Sequence, residues 1–286
     1  MKKIHTQDLS GLNIPERSLL MKYRIDHDLH IHSYLSSCSR DPEQNPDAIL
    51  RYAEANRMST VCLTDHYWDS AVPGASDWYK PQNFDHIREA LPLPQGEETA
   101  FLFGCETDLK KDMTLGIPPE RFSDFDFIII PTTHLHMIGF TIAEADKDSL
   151  DRRAELWVER LDQLLDRDLP FSKIGIAHLA CGLISKKGHL PVLDRIPSDE
   201  MERVFSKAEA RGCGIELNAD DFTFADADAD RVLRMFRIAK GCGCKFYLGS
   251  DAHHPASLDR AVPLFERAID LLALEETDKF IPEFRK

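Results

Sequence analysis

The chain has 286 residues, of which 43% are hydrophobic and 29% charged, a balance typical of a globular protein and not of a disordered one. Its net charge of −14 argues against long nucleic acids as partners, because duplex binding depends on Lys and Arg side chains that neutralise phosphates. A small phosphorylated substrate is the partner that we expect.

The first residues, MKKIHTQDLSG, have no apolar stretch after their two lysines, so we predict no secretory signal. Apolar runs such as 125–131 are too short to span a bilayer, and we expect no membrane partner. Seven cysteines without a CxxC pair favour a reduced, cytoplasmic protein. The oligomeric state stays open.

Short apolar runs alternate with amphipathic stretches along the whole chain. The pattern is typical of parallel strands buried on both faces and joined by helices. The predicted strands are 25–31, 59–64, 100–105, 125–132, 173–177, 213–217 and 245–249. The predicted helices are 45–57, 147–168, 197–212, 226–241 and 257–274. Seven such units predict one α/β domain over 1–286, a closed βα barrel, with a possible cap at 67–95.

Residues of the types that commonly bind metals follow each predicted strand. Parallel strands of a barrel present their carboxyl ends at one mouth, where active sites are built. Residues i and i+2 point to the same side of a strand, so His30 and His32 can bind one ion, and so can Asp251 and His253. The other residues at these ends are Asp65, His66, Glu106, His134, His178, Glu216 and Asn218. Imidazole and carboxylate ligands suit Zn, Mn or Fe.

A single HxH pair would be weak evidence, and one histidine at a strand end is more often a hydrogen-bonded core residue. Here six of the twelve histidines, together with two acids, fall at equivalent strand ends. The combined pattern therefore predicts a metal-dependent hydrolase with its site at the mouth of the barrel.

The ordered motifs resemble the polymerase and histidinol phosphatase (PHP) superfamily of metal-dependent phosphoesterases. They are DLHIHS at 28–33, LTDH at 63–66, GCE at 104–106, His134, Ala177-His178 and GSDAH at 249–253. The resemblance implies a distorted (β/α)7 TIM-like barrel that holds two or three divalent ions. Chain length and the long segments after strands two and four make the histidinol-phosphatase branch the nearest match.

The resemblance also implies a ligand set. The first ion would be held by His30, His32, Glu106 and Asp251; the second by Glu106, His134 and His178; the third by His66 and His253. Where this family usually places a further His or Asp, this chain has Cys38. A thiolate at Cys38 would favour zinc, and the alternative is a buried loop cysteine beside a dinuclear centre.

We expect Glu106 to bridge two ions, Asp65 to orient a ligand imidazole, and His253 to assist the departing alkoxide. Arg40, Lys186, Lys187 and Asn218 are candidates for substrate or phosphate contacts. Glu216 is either a substrate contact or a buried structural acid. The aromatic residues Trp68, Trp78 and Tyr79 either form an apolar wall or pack the cap.

Four functions are compatible with this pattern. We expect hydrolysis of a small phosphomonoester, with L-histidinol phosphate as the best single candidate. Hydrolysis of a short phosphodiester or a nucleotide by the same centre is the first alternative. An amidohydrolase-type C–N hydrolase would require a lysine that bridges the metal ions after strand four, where the chain has Thr132 and Thr133. A metal-binding module without catalysis would lack ligands, and only position 38 departs from the family pattern.

Overall fold

The computed structural model describes residues 21–283. The start of the chain, where we predict no secretory signal, lies outside this range, and so do residues 284–286. Over the described part of the chain, no helix is both long and apolar enough to cross a membrane.

Each of the seven predicted apolar runs contains a strand, and the third run is divided in two at Gly104. The strands are short, and nearly all their residues are buried. Their bounds are β1 His27–Ile31, β2 Thr60–Leu63, β3 Ala100–Phe103, β4 Cys105–Glu106, β5 Ile128–Pro131, β6 Ile174–Ala177, β7 Gly214–Asn218 and β8 Lys245–Gly249.

All these strands pair in parallel, in two sheets with the orders β1-β2-β3 and β4-β5-β6-β7-β8. Isolated bridges between His66 and Glu106 and between Ile31 and Ala252 connect the sheets. An α/β fold with parallel strands is therefore confirmed. The single closed sheet of seven strands stays a prediction, because the structure assigns eight segments in two sheets.

Helices follow most of the strands, as the alternation predicts. Longer helices are α1 Pro46–Ala55, α3 Leu150–Leu165, α5 Ser198–Arg211, α6 Ala229–Gly241 and α7 Pro255–Leu272. Two single-turn helices, α2 Phe84–Ile87 and α4 Leu190–Leu193, are not predicted. The 3₁₀ segments are Arg88–Ala90, Pro119–Asp124, Glu144–Asp146, Phe171–Lys173, Gly182–Ile184, Ala219–Phe222, Asp226–Asp228 and Glu276–Asp278.

Local capping groups determine where the long helices begin and end. The Asn45 side chain accepts a hydrogen bond from the Ala48 amide, and Pro46 occupies the first turn of α1. The Ser149 side chain caps α3 in the same way, which starts the helix three residues later than predicted. Helix α5 ends at Arg211, and the following Gly212 has a φ of 73°, the left-handed value that favours glycine.

A large hydrophobic cluster fills the space between the strands and the helices. A second, smaller cluster takes residues from strands of both sheets, including Leu29, Cys62, Ile129 and Tyr247. The two sheets therefore share one packed interior, and the carboxyl ends of their strands are held close together.

Candidate metal centre

The first and last strands lie side by side at their carboxyl ends. The Asp251 amide donates a hydrogen bond to the His30 carbonyl at 2.7 Å, and the His32 amide donates to the Ala252 carbonyl at 3.0 Å. Residues separated by about 220 positions in the chain are thereby brought together. As the sequence predicts, the HxH motif and the SDAH motif meet at one site.

Glu106 is fully buried and lies among five imidazoles, which come from the ends of four different strands. Its oxygens lie 2.9 Å from His66 Nδ1, 3.3 Å from His32 Nε2 and 3.3 Å from His178 Nε2. The distances to His30 Nε2 and His134 Nε2 are 3.5 and 3.9 Å. This is the central position that a bridging carboxylate requires.

Several of these buried atoms have no hydrogen-bond partner in the protein. They include both Glu106 carboxylate oxygens, His66 Nδ1 and His134 Nε2. His30 Nε2 and His32 Nε2 face each other at 3.1 Å. A buried carboxylate without hydrogen bonds is costly unless a cation compensates it. The donor set therefore fits a metal centre, and its nitrogen and oxygen atoms suit Zn, Mn or Fe.

Four groups of three side chains place their ligand atoms within 4.8 Å of one another. They are His30–His32–Asp251, Glu106–His134–His178, His32–His66–His253 and His30–His178–Glu216. The first two contain most of the predicted first and second ligand sets, and the third joins His66 and His253 through His32. The fourth includes Glu216, which the predicted ligand set does not contain.

Glu216 positions ligands and is poorly placed to be one itself. Its Oε1 lies 2.5 Å from His30 Nδ1, and its Oε2 accepts the His178 amide at 3.0 Å. Because Nδ1 of His30 is the donor to this carboxylate, Nε2 is the atom left to face Glu106 and Asp251. The structure favours the buried structural acid over the substrate contact.

Asp65 acts on His32 through Ser36. The Ser36 hydroxyl donates to Asp65 Oδ1 at 2.6 Å and accepts from His32 Nδ1 at 3.0 Å, which leaves His32 Nε2 for the site. Asp65 also accepts the Ser33 amide and hydroxyl at 2.8 and 2.6 Å. It does not line the site cavity, so a positioning role for Asp65 agrees with this geometry and a direct catalytic one does not.

Two more imidazoles have Nδ1 engaged and Nε2 turned to the site. His134 Nδ1 lies 3.1 Å from Asp108 Oδ2, and His253 Nδ1 lies 2.7 Å from the Asp251 carbonyl. Burial and the nearby His32 imidazole lower the pKa of His253 to about 3. A neutral His253 is a better ligand than proton donor, so the structure favours its ligand role over help to the leaving group.

Charge complementarity is strong among the side chains of the site. Burial alone would raise the pKa of Glu106, but the imidazoles of His66 and His30 outweigh it and hold this pKa well below its usual range. Burial lowers the pKa of His30, yet the carboxylates of Glu216 and Asp251 raise it well above its usual value. A metal ion entering this cluster would displace protons from imidazoles.

Backbone strain coincides with two of the candidate ligands. His178 has a φ of 62° and Asp251 a φ of 51°. The left-handed region costs a residue with a Cβ atom roughly 1–2 kcal/mol. Strain of this kind is common where side chains are held in a functional geometry.

Some predicted site residues do not belong to the four groups of candidate metal ligands. Cys38 is exposed and lines the cavity, so it is no buried loop cysteine. Among the described residues, however, its sulfur joins none of the four groups. His32 takes the place that the sequence assigns to Cys38, because the HxH strand carries its second histidine between His66 and His253.

The predicted phosphate contacts lie outside the cavity. Arg40 Nε is 3.4 Å from the Ser37 carbonyl, and Lys187 Nζ donates to the Asp148 carbonyl at 3.2 Å. Lys186 is not among the residues that line the cavity. Asn218 lies beneath the site, with its Nδ2 3.4 Å from Glu216 and 3.5 Å from Asp251. Loop charges cannot be positioned from the sequence, because nothing in it fixes the path of a long loop.

The cavity above the ligands measures about 490 Å³ and has two different walls. One wall carries the candidate ligands. The other is largely apolar, and it includes Trp78, Tyr79, Met137, Ile138, Phe140 and Leu183. The predicted cap thus supplies Trp78 and Tyr79 to the cavity, whereas the buried Trp68 packs behind them against Phe140.

Sequence reasoning misses Asp108, Ser36 and His136. Asp108 and His136 line the cavity, and each lies two residues after a predicted ligand, Glu106 and His134. The i, i+2 rule applied to the first strand would have placed both side chains toward the mouth. No comparable signal exists for Ser36, which lies in a loop.

No protein-family model and no curated protein sequence matches the chain. Among solved structures, it is similar to a candidate histidinol phosphatase, hisK, from Listeria monocytogenes. The identity is 14%, the TM-score 0.54, and the match covers 84% of this chain and 99% of that one. It is also similar to the histidinol phosphate phosphatase HisK from Lactococcus lactis, solved with Zn, L-histidinol and phosphate. There the identity is 16%, the TM-score 0.49, and the coverage 85% and 93%. At the level of the fold, the Listeria structure confirms the resemblance that the motifs indicate.

Proposed function

We propose that this chain is a metal-dependent phosphoesterase that hydrolyses a small phosphomonoester, with L-histidinol phosphate as the best candidate. One observation carries the proposal: Glu106, buried and without hydrogen bonds, lies within 3.9 Å of five imidazoles. The choice of L-histidinol phosphate comes from the resemblance of the motifs to the histidinol-phosphatase branch. The name of the Listeria structure that shares the fold agrees with it.

Three sets of side chains would hold two or three Zn, Mn or Fe ions. They are His30, His32, Glu106 and Asp251; Glu106, His134 and His178; and His32, His66 and His253. Bound divalent ions would lower the pKa of water and offset the charge of phosphoryl oxygens. Glu106 would be shared between two sets, and the carboxylates of Glu216 and Asp108 keep the imidazoles in the required tautomer.

The protein contributes orientation and exclusion of water. Its apolar wall covers the organic part of the substrate, while the opposite wall receives the phosphoryl group. None of the residues that the structure places around the cavity is Lys or Arg. The charge of the phosphoryl group must therefore be balanced by the bound ions, and this condition favours a substrate with a single phosphate.

The test is phosphate release by protein stripped with a chelator and reloaded with Zn, Mn or Fe. The panel contains L-histidinol phosphate and sugar, amino-alcohol and nucleotide phosphates. We expect hydrolysis only after reloading, and Glu106→Gln should lower kcat by at least about a hundredfold because the shared ligand is weakened. Glu266→Gln is the matched control, since Glu266 is an exposed acid on α7. Full activity in the stripped protein, or in Glu106→Gln, would refute the proposal.

A further inference from the structure

Asp108 carries an unused hydrogen-bond acceptor at the edge of the cavity. The residue is fully buried, and its Oδ2 accepts the Tyr79 hydroxyl and lies 3.1 Å from His134 Nδ1. Its Oδ1 is buried and has no hydrogen-bond partner. The contacts with His134 and Tyr79 account for Oδ2 of this carboxylate. They assign no role to Oδ1.

No Lys or Arg side chain of the described residues lines the cavity with Asp108. Arg160 is close enough to interact electrostatically with it. However, the Arg160 guanidinium donates to backbone carbonyls, at 2.6 Å to Thr132 and at 2.8 Å to Leu109. Asp108 itself lines the cavity, and no side chain of the described residues satisfies its Oδ1.

The surroundings of Asp108 indicate which part of a substrate reaches it. Asp108 lies two residues beyond Glu106, beside the group formed by Glu106, His134 and His178. Its neighbours on the cavity surface include Tyr79 and Phe140, whose ring centroids are 5.7 Å apart. An anionic phosphoryl group is poorly matched to a carboxylate, whereas the organic part of the substrate can lie on these rings.

We propose that Asp108 is a specificity-determining residue whose Oδ1 accepts a hydrogen bond from a cationic N–H group, an ammonium or a protonated imidazole, on the organic part of the phosphomonoester. This inference rests on the proposed phosphoesterase function and narrows its substrate class. A buried carboxylate oxygen without a partner costs free energy, and a charged donor removes that cost while forming one of the stronger hydrogen bonds.

Asparagine at position 108 separates the two roles of the carboxylate. In Asp108→Asn, the amide oxygen can still accept from Tyr79 and His134, while the amide nitrogen presents N–H donors to the cavity. A cationic substrate group would then meet a donor in place of an acceptor. Asp112→Asn is the matched control, because Asp112 is an exposed acid in the same loop.

The experiment compares kcat/KM for two series of substrates with the metal-loaded enzyme. One series is the ω-aminoalkyl phosphates of two to four carbons; in the other, a methyl group replaces the ammonium. We expect the wild type to prefer the ammonium member by about tenfold or more at one chain length at least. Asp108→Asn should lower kcat/KM for the ammonium member much more than for the alkyl member, so that the preference disappears.

Equal loss of both series in Asp108→Asn would show a purely positioning role and overturn the inference. So would a wild type without preference at every chain length. Zinc content and melting temperature of Asp108→Asn identify a variant that fails to fold, and in that case the preference of the wild type alone decides.

A binding measurement separates this inference from the proposed function. L-Histidinol, which carries both cationic groups and no phosphate, is titrated into wild type, Asp108→Asn and the control Asp112→Asn while tryptophan fluorescence is recorded, since Trp78 lines the cavity. A wild type that hydrolyses no phosphomonoester with any metal would end the proposed function. Fluorescence quenching by L-histidinol that Asp108→Asn loses would still support the subsite, and no quenching in the wild type would refute it.

Discussion

One hydroxyl group, that of Ser36, connects three parts of the candidate metal centre. It donates to Asp65 and accepts from His32 Nδ1, and the His66 amide donates to it at 3.1 Å. The residue is 1% exposed. Ser36 therefore sets the orientation of one predicted ligand and the backbone position of another.

Removal of this hydroxyl should weaken metal binding without removing a ligand. We expect Ser36→Ala to lower zinc affinity by about tenfold or more, because partners that orient ligand imidazoles typically contribute that much. Competition with a chromophoric chelator measures the affinity. Ser37→Ala is the control, since the contacts of Ser37 are made by its backbone. An unchanged affinity in Ser36→Ala would mean that His32 keeps its orientation by packing alone.

At the residue scale, the sequence predicts the candidate ligands better than the residues that support them. His30, Glu106 and Asp251 are predictable because strand ends and i, i+2 spacing are local properties. Glu216 and Asp108 form their hydrogen bonds with residues up to 186 positions away. Such contacts depend on the register between strands, which no local pattern contains.

At the scale of elements, the break in the third predicted strand decides where Glu106 lies. A Cβ atom at Gly104 would meet the Phe127 carbonyl oxygen at 2.5 Å and Cys62 Sγ at 2.7 Å. The chain passes through this narrow gap from β3 into β4, two residues before Glu106. Only glycine fits there without a shift of the neighbouring backbone.

Alanine at Gly104 should therefore disturb both the fold and the metal centre. We expect Gly104→Ala to lower the free energy of unfolding by about 2 kcal/mol through overpacking, and to reduce zinc content by displacing Glu106. Urea unfolding and metal analysis of the purified protein provide the measurements. Gly182→Ala is the matched control, because a Cβ atom there would meet nothing within 4 Å. Equal effects of the two substitutions would contradict this account.

The elements themselves are predictable to the extent that they are amphipathic or apolar throughout. All seven apolar runs contain strands, and the five long helices lie where helical spacing places them. The single-turn helices α2 and α4 are too short to show a period of 3.6 residues. The break at Gly104 is not predictable either, because the atoms that exclude a Cβ come from Cys62 and Phe127, on other segments.

At the scale of the whole molecule, the segments before β1 and after α7 are joined at the end of the strands away from the site. The Tyr23 hydroxyl and the Phe280 amide both donate to the Phe246 carbonyl, each at 2.7 Å. Lys279 Nζ lies 2.9 Å from both oxygens of Asp26. The sequence contains no sign of this junction, since lysines and acids at the two ends of a chain are usually solvated.

The junction explains why His27 is no ligand despite its position beside the HxH motif. Its Nδ1 lies 2.9 Å from Asp26, and its Nε2 accepts the Leu248 amide at 3.1 Å. Because Nε2 accepts an amide hydrogen, the imidazole is neutral, and it bridges the first strand to the last. Burial lowers the pKa of His27, in agreement with this state. His27 thus lies at the end of the strands away from the site, whereas His30 and His32 lie at the candidate metal centre.

Asp26 makes the stability of this junction depend on pH. Burial opposes ionisation of Asp26, but hydrogen bonds from His27 and Lys279 outweigh it and lower its pKa from 3.8 to about 2. A carboxyl group with a lowered pKa in the folded state stabilises the fold above pH 3.8, and this contribution disappears as the pH falls through about 2. Its full size is about 2 kcal/mol.

Asp26→Asn removes the titrating group and should show this dependence by difference. In urea unfolding of metal-stripped protein, we expect wild type to exceed Asp26→Asn in stability by about 2 kcal/mol at pH 6 and by about 1 kcal/mol less at pH 3. Asp270→Asn is the control, because the ion pair between Asp270 and Lys22 is exposed and worth little. A difference between wild type and Asp26→Asn that stays constant from pH 6 to pH 3 would show that Lys279 and His27 do not favour the ionised form of Asp26.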